Sequence, residues 1–137
     1  MPSRSKWNST WILFAGVIAG LSHDKKLKVG CVIVDKRNEK ILSFGYNGNY
    51  AGGSNDRDSM EKGCSGFIHA EENALIKLPY GDHGGCTMYL THSPCRMCAK
   101  KIINARIKNV VYLNDYGDDD FKFMFLHSGV RFEKIKT

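Results

Sequence analysis

The 137-residue sequence has no low-complexity tract, no internal repeat and no linker-like stretch. Their absence excludes a repeat architecture and extensive disorder, and a chain of this length buries one substantial core rather than two. The expectation is a single domain over residues 1–137. Also missing is an apolar run long enough for a bilayer, since Trp11 to Leu21 falls short of the ~20 residues a spanning helix needs. Preceded by Arg4 and Lys6, that segment imitates a secretory signal in outline. The reading adopted is a first helix, capped near Ser9 or Thr10 and buried against a sheet.

A disulfide framework is lacking too. The five cysteines are odd in number and show no pairing pattern, which fits a reducing cytoplasm. Cys31 and Cys86 fall in or beside apolar strand segments and read as small buried hydrophobes, whereas Cys64 has no clear assignment. Acidic residues are fewer than basic ones, leaving a net charge of +6, yet the positive charge is dispersed. Its densest cluster, Lys25, Lys26 and Lys28, reads as a solvated turn, and a nucleotide phosphate or an acidic effector suffices as counter-charge. Neither a polynucleotide nor a membrane partner is expected. Phe121, Phe123 and Phe125 lack the interleaved basic groups of a base-stacking sheet and read as core or subunit-contact packing.

What is present is more specific. His69-Ala70-Glu71 is followed by Pro94-Cys95-Arg96-Met97-Cys98, giving three metal donors and one free carboxylate. One imidazole and two thiolates occupy three positions of a zinc tetrahedron and leave the fourth for water, whereas a structural zinc normally takes a fourth protein ligand. Cys95 and Cys98 stand one helical turn apart and can face one ion if Cys95 opens a helix, whose N-terminus also favours thiolate. Glu71 is then the proton carrier. Periodicity and breakers predict a helix over 9–22, strands over 29–34 and 40–45, a loop through Ser65 and a helix over 69–78. A strand over 86–91, a helix over 95–104, a strand over 108–113, a helix opened by Asp118 to Asp120 and stopped by Gly129, and a strand over 130–135 complete an α/β layer.

His-x-Glu ahead of Pro-Cys-x-x-Cys is the signature of the zinc-dependent nucleoside and nucleotide deaminases. Gly45-Tyr46-Asn47-Gly48, Ala51-Gly52-Gly53, His69 to Ala74 and Met88 to Lys100 make the chain resemble the deoxycytidylate (dCMP) deaminases, including their compact phage members, over nearly its whole length. The resemblance implies an α/β, cytidine-deaminase-like three-layer α-β-α fold with a central mixed sheet of about five strands. It further implies one catalytic Zn2+ on His69, Cys95 and Cys98, and conversion of dCMP to dUMP with release of ammonia, supplying thymidylate synthesis. Glu71 would carry a proton from water to ring N3 and then to the departing amine.

From the same resemblance come Asn47 near the deoxyribose and backbone groups of Ala70 and Ser93 near the pyrimidine edge. Local sequence alone leaves Asn47 equally readable as the Asn of an Asn-Gly hairpin turn. Tyr116, after the strand ending near Leu113, reads either as a phosphate contact or as an exposed amphipathic tyrosine. The family also implies a homohexamer, activation by dCTP with Mg2+ and inhibition by dTTP. Segment 49–63, Gly- and Asp-rich, lies where effectors bind in the family, or is simply a solvated loop. A second, structural zinc is not expected, because Phe67 stands where some phage relatives have a ligand. The alternatives are a zinc deaminase of a nucleoside, guanine or tRNA adenosine, which Gly45 to Gly48 disfavours, and a noncatalytic zinc module binding nucleic acid.

Overall fold

Buried residues alternate between two directions along the middle of the chain, and this alternation builds the frame. The computed structural model describes residues 4–136. In strands β1 (Gly30–Val34), β3 (Thr87–His92) and β4 (Asn109–Asn114), Cys31, Ile33, Met88, Leu90, Val110 and Tyr112 join one apolar cluster, while Val32, Val34, Tyr89 and Val111 join another. A sheet apolar on both faces must be covered on both. Helix α1 (Arg4–Ala19) covers the second face with Trp11, Ile12 and Ala15, and helices α2 (Ala70–Lys77), α3 (Arg96–Asn104) and α4 (Asp120–Ser128) cover the first.

With β2 (Ile41–Tyr46) and β5 (Arg131–Lys134) the sheet runs β2-β1-β3-β4-β5. Strand β1 is antiparallel to both β2 and β3, whereas β3, β4 and β5 are mutually parallel. The result is the three-layer α-β-α arrangement with a mixed five-stranded sheet that the sequence led us to expect. Each expected strand lies within a residue of its observed bounds.

The first helix departs from expectation. It starts at Arg4, so Ser9 and Thr10 lie inside it and cap nothing; the Thr10 hydroxyl instead donates back to the Lys6 carbonyl at 3.0 Å. Packing favours extending the helix through Trp7, which stacks on Trp11 with ring centroids 6.0 Å apart. Its far end is also shorter, stopping at Ala19. No helix among the described residues is long and apolar enough to cross a membrane. In α4, helical spacing resolves the alternating phenylalanines: Phe121 and Phe125 point inward and are buried, while Phe123 between them is exposed. Gly129 ends that helix in the left-handed conformation.

Two glycines set how closely the helices approach. A Cβ on Gly30 would land on the backbone of α1 at Ala15 and Ala19, and one on Gly45 would land on α2 at Ala70 and Ala74. Gly45 therefore holds the start of α2 down on β2. Gly30→Ala is expected to cost about 3 kcal/mol in urea unfolding, because backbone cannot yield as a side chain can. Gly16→Ala, where nothing lies within 4 Å on an exposed helical position, should instead raise stability by up to ~1 kcal/mol.

Candidate active site

Two helix starts meet on the sheet face covered by α2 and α3, and each begins on a metal-donor residue. His69 is the N-cap of α2 and Cys95 the N-cap of α3, both in extended backbone conformation, and Cys98 follows in the first turn of α3. The His69 Nδ1 atom lies 3.2 Å from Cys98 Sγ and 3.5 Å from Cys95 Sγ. Glu72 fixes His69 from behind: its carboxylate accepts the His69 backbone N–H at 3.2 Å and pairs with Lys101 of α3, tying the two helices together. On the other side, Asp118 accepts the Arg96 N–H at 3.0 Å, joining the start of α3 to the loop after β4.

Proton sharing within this group is strong. Hydrogen bonding from the Cys98 thiol, helped by the His69 ring and the Cys98 amide, outweighs burial and brings the Cys95 thiol down to about 4. The bond to Cys95, burial and the neighbouring Glu71 push the Cys98 thiol well above its ordinary value. His69 is raised chiefly by its bond to Cys95. Glu71, in the first turn of α2 and only 4% exposed, is pushed by burial up to about 7 against the pull of its own amide and of His69. A divalent cation among the donors would draw that carboxyl down again.

The chemistry of the donor set fits zinc. His69, Cys95 and Cys98 offer donor atoms all within 4.8 Å of one another, and they are the one such group of at least three among the described residues. Zn–N and Zn–S bonds of about 2.0 and 2.3 Å in a tetrahedron imply an N···S edge near 3.5 Å, close to the separations observed. Glu71 stands outside this group, and no fourth protein donor joins it among the described residues. Cys31 and Cys86 are buried in the apolar core, and Cys64 is exposed and apart.

Around the donors opens a pocket lined by all the expected site residues except Cys98, which is buried. Asn47 is no hairpin turn: the β1–β2 connection turns at 35–40, and Asn47 follows β2. Its amide accepts the Val29 N–H at 2.9 Å and donates to the Leu27 carbonyl at 2.8 Å and Asp24 at 3.1 Å, so both donors are committed to the pocket wall. The Ala70 amide lies in the first turn of α2, where no intrahelical acceptor exists. Ser93 gives its N–H to the Asn114 carbonyl at 2.9 Å, and its hydroxyl accepts the Tyr116 N–H at 2.8 Å. Tyr116 is half-buried at the pocket's edge.

Sequence reasoning missed Asp24, Lys26, Arg57, Lys62 and His92, which share this pocket. Asp24 and Arg57 form an ion pair at 2.6 Å with side chains 3% and 8% exposed, so segment 49–63 is anchored rather than simply solvated. The partners lie 33 residues apart, a separation no local pattern reports. Lys26 belongs to the cluster read as a solvated turn; it is exposed, and its ammonium donates to the Met60 carbonyl. The His92 ring is 2.9 Å from the Thr91 hydroxyl, and burial lowers its pKa.

A His-x-Glu helix start set against a Pro-Cys-x-x-Cys helix start, on a mixed sheet, defines a zinc-dependent hydrolytic deaminase. Residues 5–114 match the cytidine and deoxycytidylate deaminase zinc-binding region. The chain is 34% identical to the deoxycytidylate deaminase of Homo sapiens, covering 95% of this chain and 80% of the relative. Identity is also 34% to the ComE operon protein 2 of Bacillus subtilis, over 97% of this chain and 73% of that one. Among solved structures, the dCMP deaminase of cyanophage S-TIM5 in complex with dCMP and dUMP superposes with a TM-score of 0.85 at 31% identity, covering 98% of this chain and 100% of that one. The protein belongs to the cytidine and deoxycytidylate deaminase family.

The buried ion pair yields a pH-dependent test. Burial alone would raise the Asp24 carboxyl, but the Lys26 amide, Arg57 and the Leu27 amide together hold it below its ordinary value of 3.8. A depressed carboxylate stabilises the fold fully above that ordinary value, and the contribution is lost as pH falls through the folded-state value. Arg57→Met, which strands a buried carboxylate, is expected to cost about 3 kcal/mol or more at pH 7. In urea unfolding followed across pH, that deficit should shrink in acid as Asp24 protonates, starting at higher pH in the variant because the guanidinium no longer holds the buried carboxyl down.

Proposed function

We propose that the protein hydrolyses the exocyclic amine of dCMP, giving dUMP and ammonia, with Glu71 as the proton shuttle. The observation that carries this reading is the pairing of a buried carboxylate, left outside the donor group, with exactly the number of donors a catalytic zinc takes from protein. The cyanophage relative, solved with dCMP and dUMP, supports the choice of substrate. His69, Cys95 and Cys98 would hold the zinc, which when bound makes water acidic enough to attack at neutral pH.

The chain's own groups do the remaining work. The Glu71 carboxylate accepts a proton from the attacking water and delivers it to ring N3 as C4 becomes tetrahedral. It then moves a second proton from the new hydroxyl to the C4 amine, which leaves as ammonia. Burial in α2's first turn favours this task, because it holds the carboxyl beside the donors and away from bulk water. The Ala70 amide and the Ser93 backbone would orient the pyrimidine edge, Asn47 would offer its remaining acceptor lone pair at the deoxyribose, and Tyr116 would stand towards the phosphate.

The wider reading follows the family resemblance: a single cytoplasmic domain that supplies dUMP to thymidylate synthesis, assembled as a homohexamer, activated by dCTP with Mg2+ and inhibited by dTTP. Exposed apolar side chains on α1, Leu13, Phe14 and Val17, support assembly.

Glu71→Gln is expected to retain dUMP binding in calorimetry while kcat on dCMP falls by about a thousandfold, the loss of general acid–base catalysis. Ammonia release undiminished in that variant would remove Glu71 from the mechanism. Turnover of dCMP should exceed that of deoxycytidine and guanine. Rate against dCMP concentration should shift to lower concentration with dCTP and Mg2+, whereas curves indifferent to both triphosphates would reject the regulatory part alone.

A further inference from the structure

The three metal donors come from two helices, so whatever sets the placement of α2 against α3 also sets the spacing of His69 from the cysteines. Each helix is first tied to something else. Ser43 of β2 gives its hydroxyl to the Ala74 carbonyl of α2 at 2.6 Å, and the Asn73 amide of α2 donates to the Tyr46 carbonyl at 2.8 Å. The start of α3 is held by Asp118. None of these contacts joins α2 to α3. Among the described residues, one hydrogen-bonded side-chain pair that includes no metal donor does so: Glu72 with Lys101.

Helical spacing puts this pair directly behind the donors. Glu72 stands three residues after His69 and Lys101 three after Cys98, so each occupies the same helix face as a donor, one turn deeper. Both Glu72 oxygens are committed there. Oε1 accepts the His69 backbone N–H at 3.2 Å, and Oε2 accepts from the Lys101 ammonium. The residue that carries the imidazole is therefore gripped by a carboxylate that is itself anchored on the helix carrying both thiols. The side chains of Glu72 and Lys101 are 25% and 43% exposed, so water screens the ion pair in part, and the hold on His69 is the stronger of the two contacts.

From this geometry we propose that Glu72, clasped by Lys101, is a positioning residue for the metal centre: it holds His69 at the distance from Cys95 and Cys98 that zinc requires, and so sets how tightly the protein retains the ion. The inference rests on the zinc reading of the donor set and goes beyond it, because Glu72 and Lys101 belong to neither the donor group nor the pocket lining of the substrate site. Contacts of this kind act through the ligand they orient, and their loss weakens metal binding by about ten- to hundredfold.

The test measures the zinc affinity of the whole chain by competition with a chromophoric chelator, beside urea unfolding of the metal-free protein. Glu72→Met, which loses both contacts, should bind zinc about ten- to hundredfold more weakly. Glu72→Gln keeps an oxygen for the His69 amide and Lys101→Met keeps the carboxylate, so each should lose only about two- to fivefold. Combining those two should cost little more than either alone, because both break the same pair. Lys101→Arg, which preserves the charge, should restore most of the wild-type affinity. A merely structural contact would lower the stability of the metal-free protein and leave zinc affinity within about twofold of wild type in Glu72→Met, and that result overturns the proposal. A loss in Glu72→Gln as large as that in Glu72→Met also overturns it, since the grip on His69 would then not be what matters. If the wild-type protein itself takes up no zinc, the zinc reading falls and this assignment with it.

Discussion

The convergence of two helix N-termini on one point is the constraint from which the rest of the site follows. His69 and Cys95 are 26 residues apart, yet each is the last extended residue before a helix, so both side chains leave the backbone where unpaired amides gather. The same geometry that favours thiolate at Cys95 puts Glu71 one step inside α2, next to the donors rather than among them. Glu72 and Asp118 then hold the two starts in place, one from α2 and one from the loop after β4.

The frame exists to make that convergence reproducible. Burying both sheet faces supplies most of the stability, and Gly45 lets α2 settle on β2 closely enough for His69 to reach Cys98. Opposite the donors, the pocket wall is polar and built by long-range pairs: Asn47 braces the chain from Asp24 to Val29, and Asp24 fixes Arg57. Such a wall is costly to desolvate and expensive to break, which keeps an otherwise irregular connection from 47 to 69 in one arrangement.

Much of this was legible in the sequence because it is local. Short apolar runs bounded by turn residues located β1, β3 and β4, which are buried on both faces, and the metal motifs located the helix starts that carry them. The start of α1 was misread because Ser9 and Thr10 look like caps when only neighbouring residues are weighed, while the packing of Trp7 on Trp11 draws the helix further back. Asn47 looked equally like a turn and like a ligand-facing residue; its role as a brace depends on partners about 20 residues away. The Asp24–Arg57 pair and the approach of Lys62 to Tyr116 are invisible to any window of sequence, because nothing in either segment announces the other.

The account stands or falls on a zinc ion held by one imidazole and two thiolates with room for one more oxygen. X-ray absorption at the zinc edge of the purified protein tests this most directly. The expected first shell holds two sulfurs at about 2.3 Å and two lighter atoms near 2.0 Å, one of them exchangeable solvent. A third or fourth sulfur in that shell, or folded protein with no zinc bound, would contradict it.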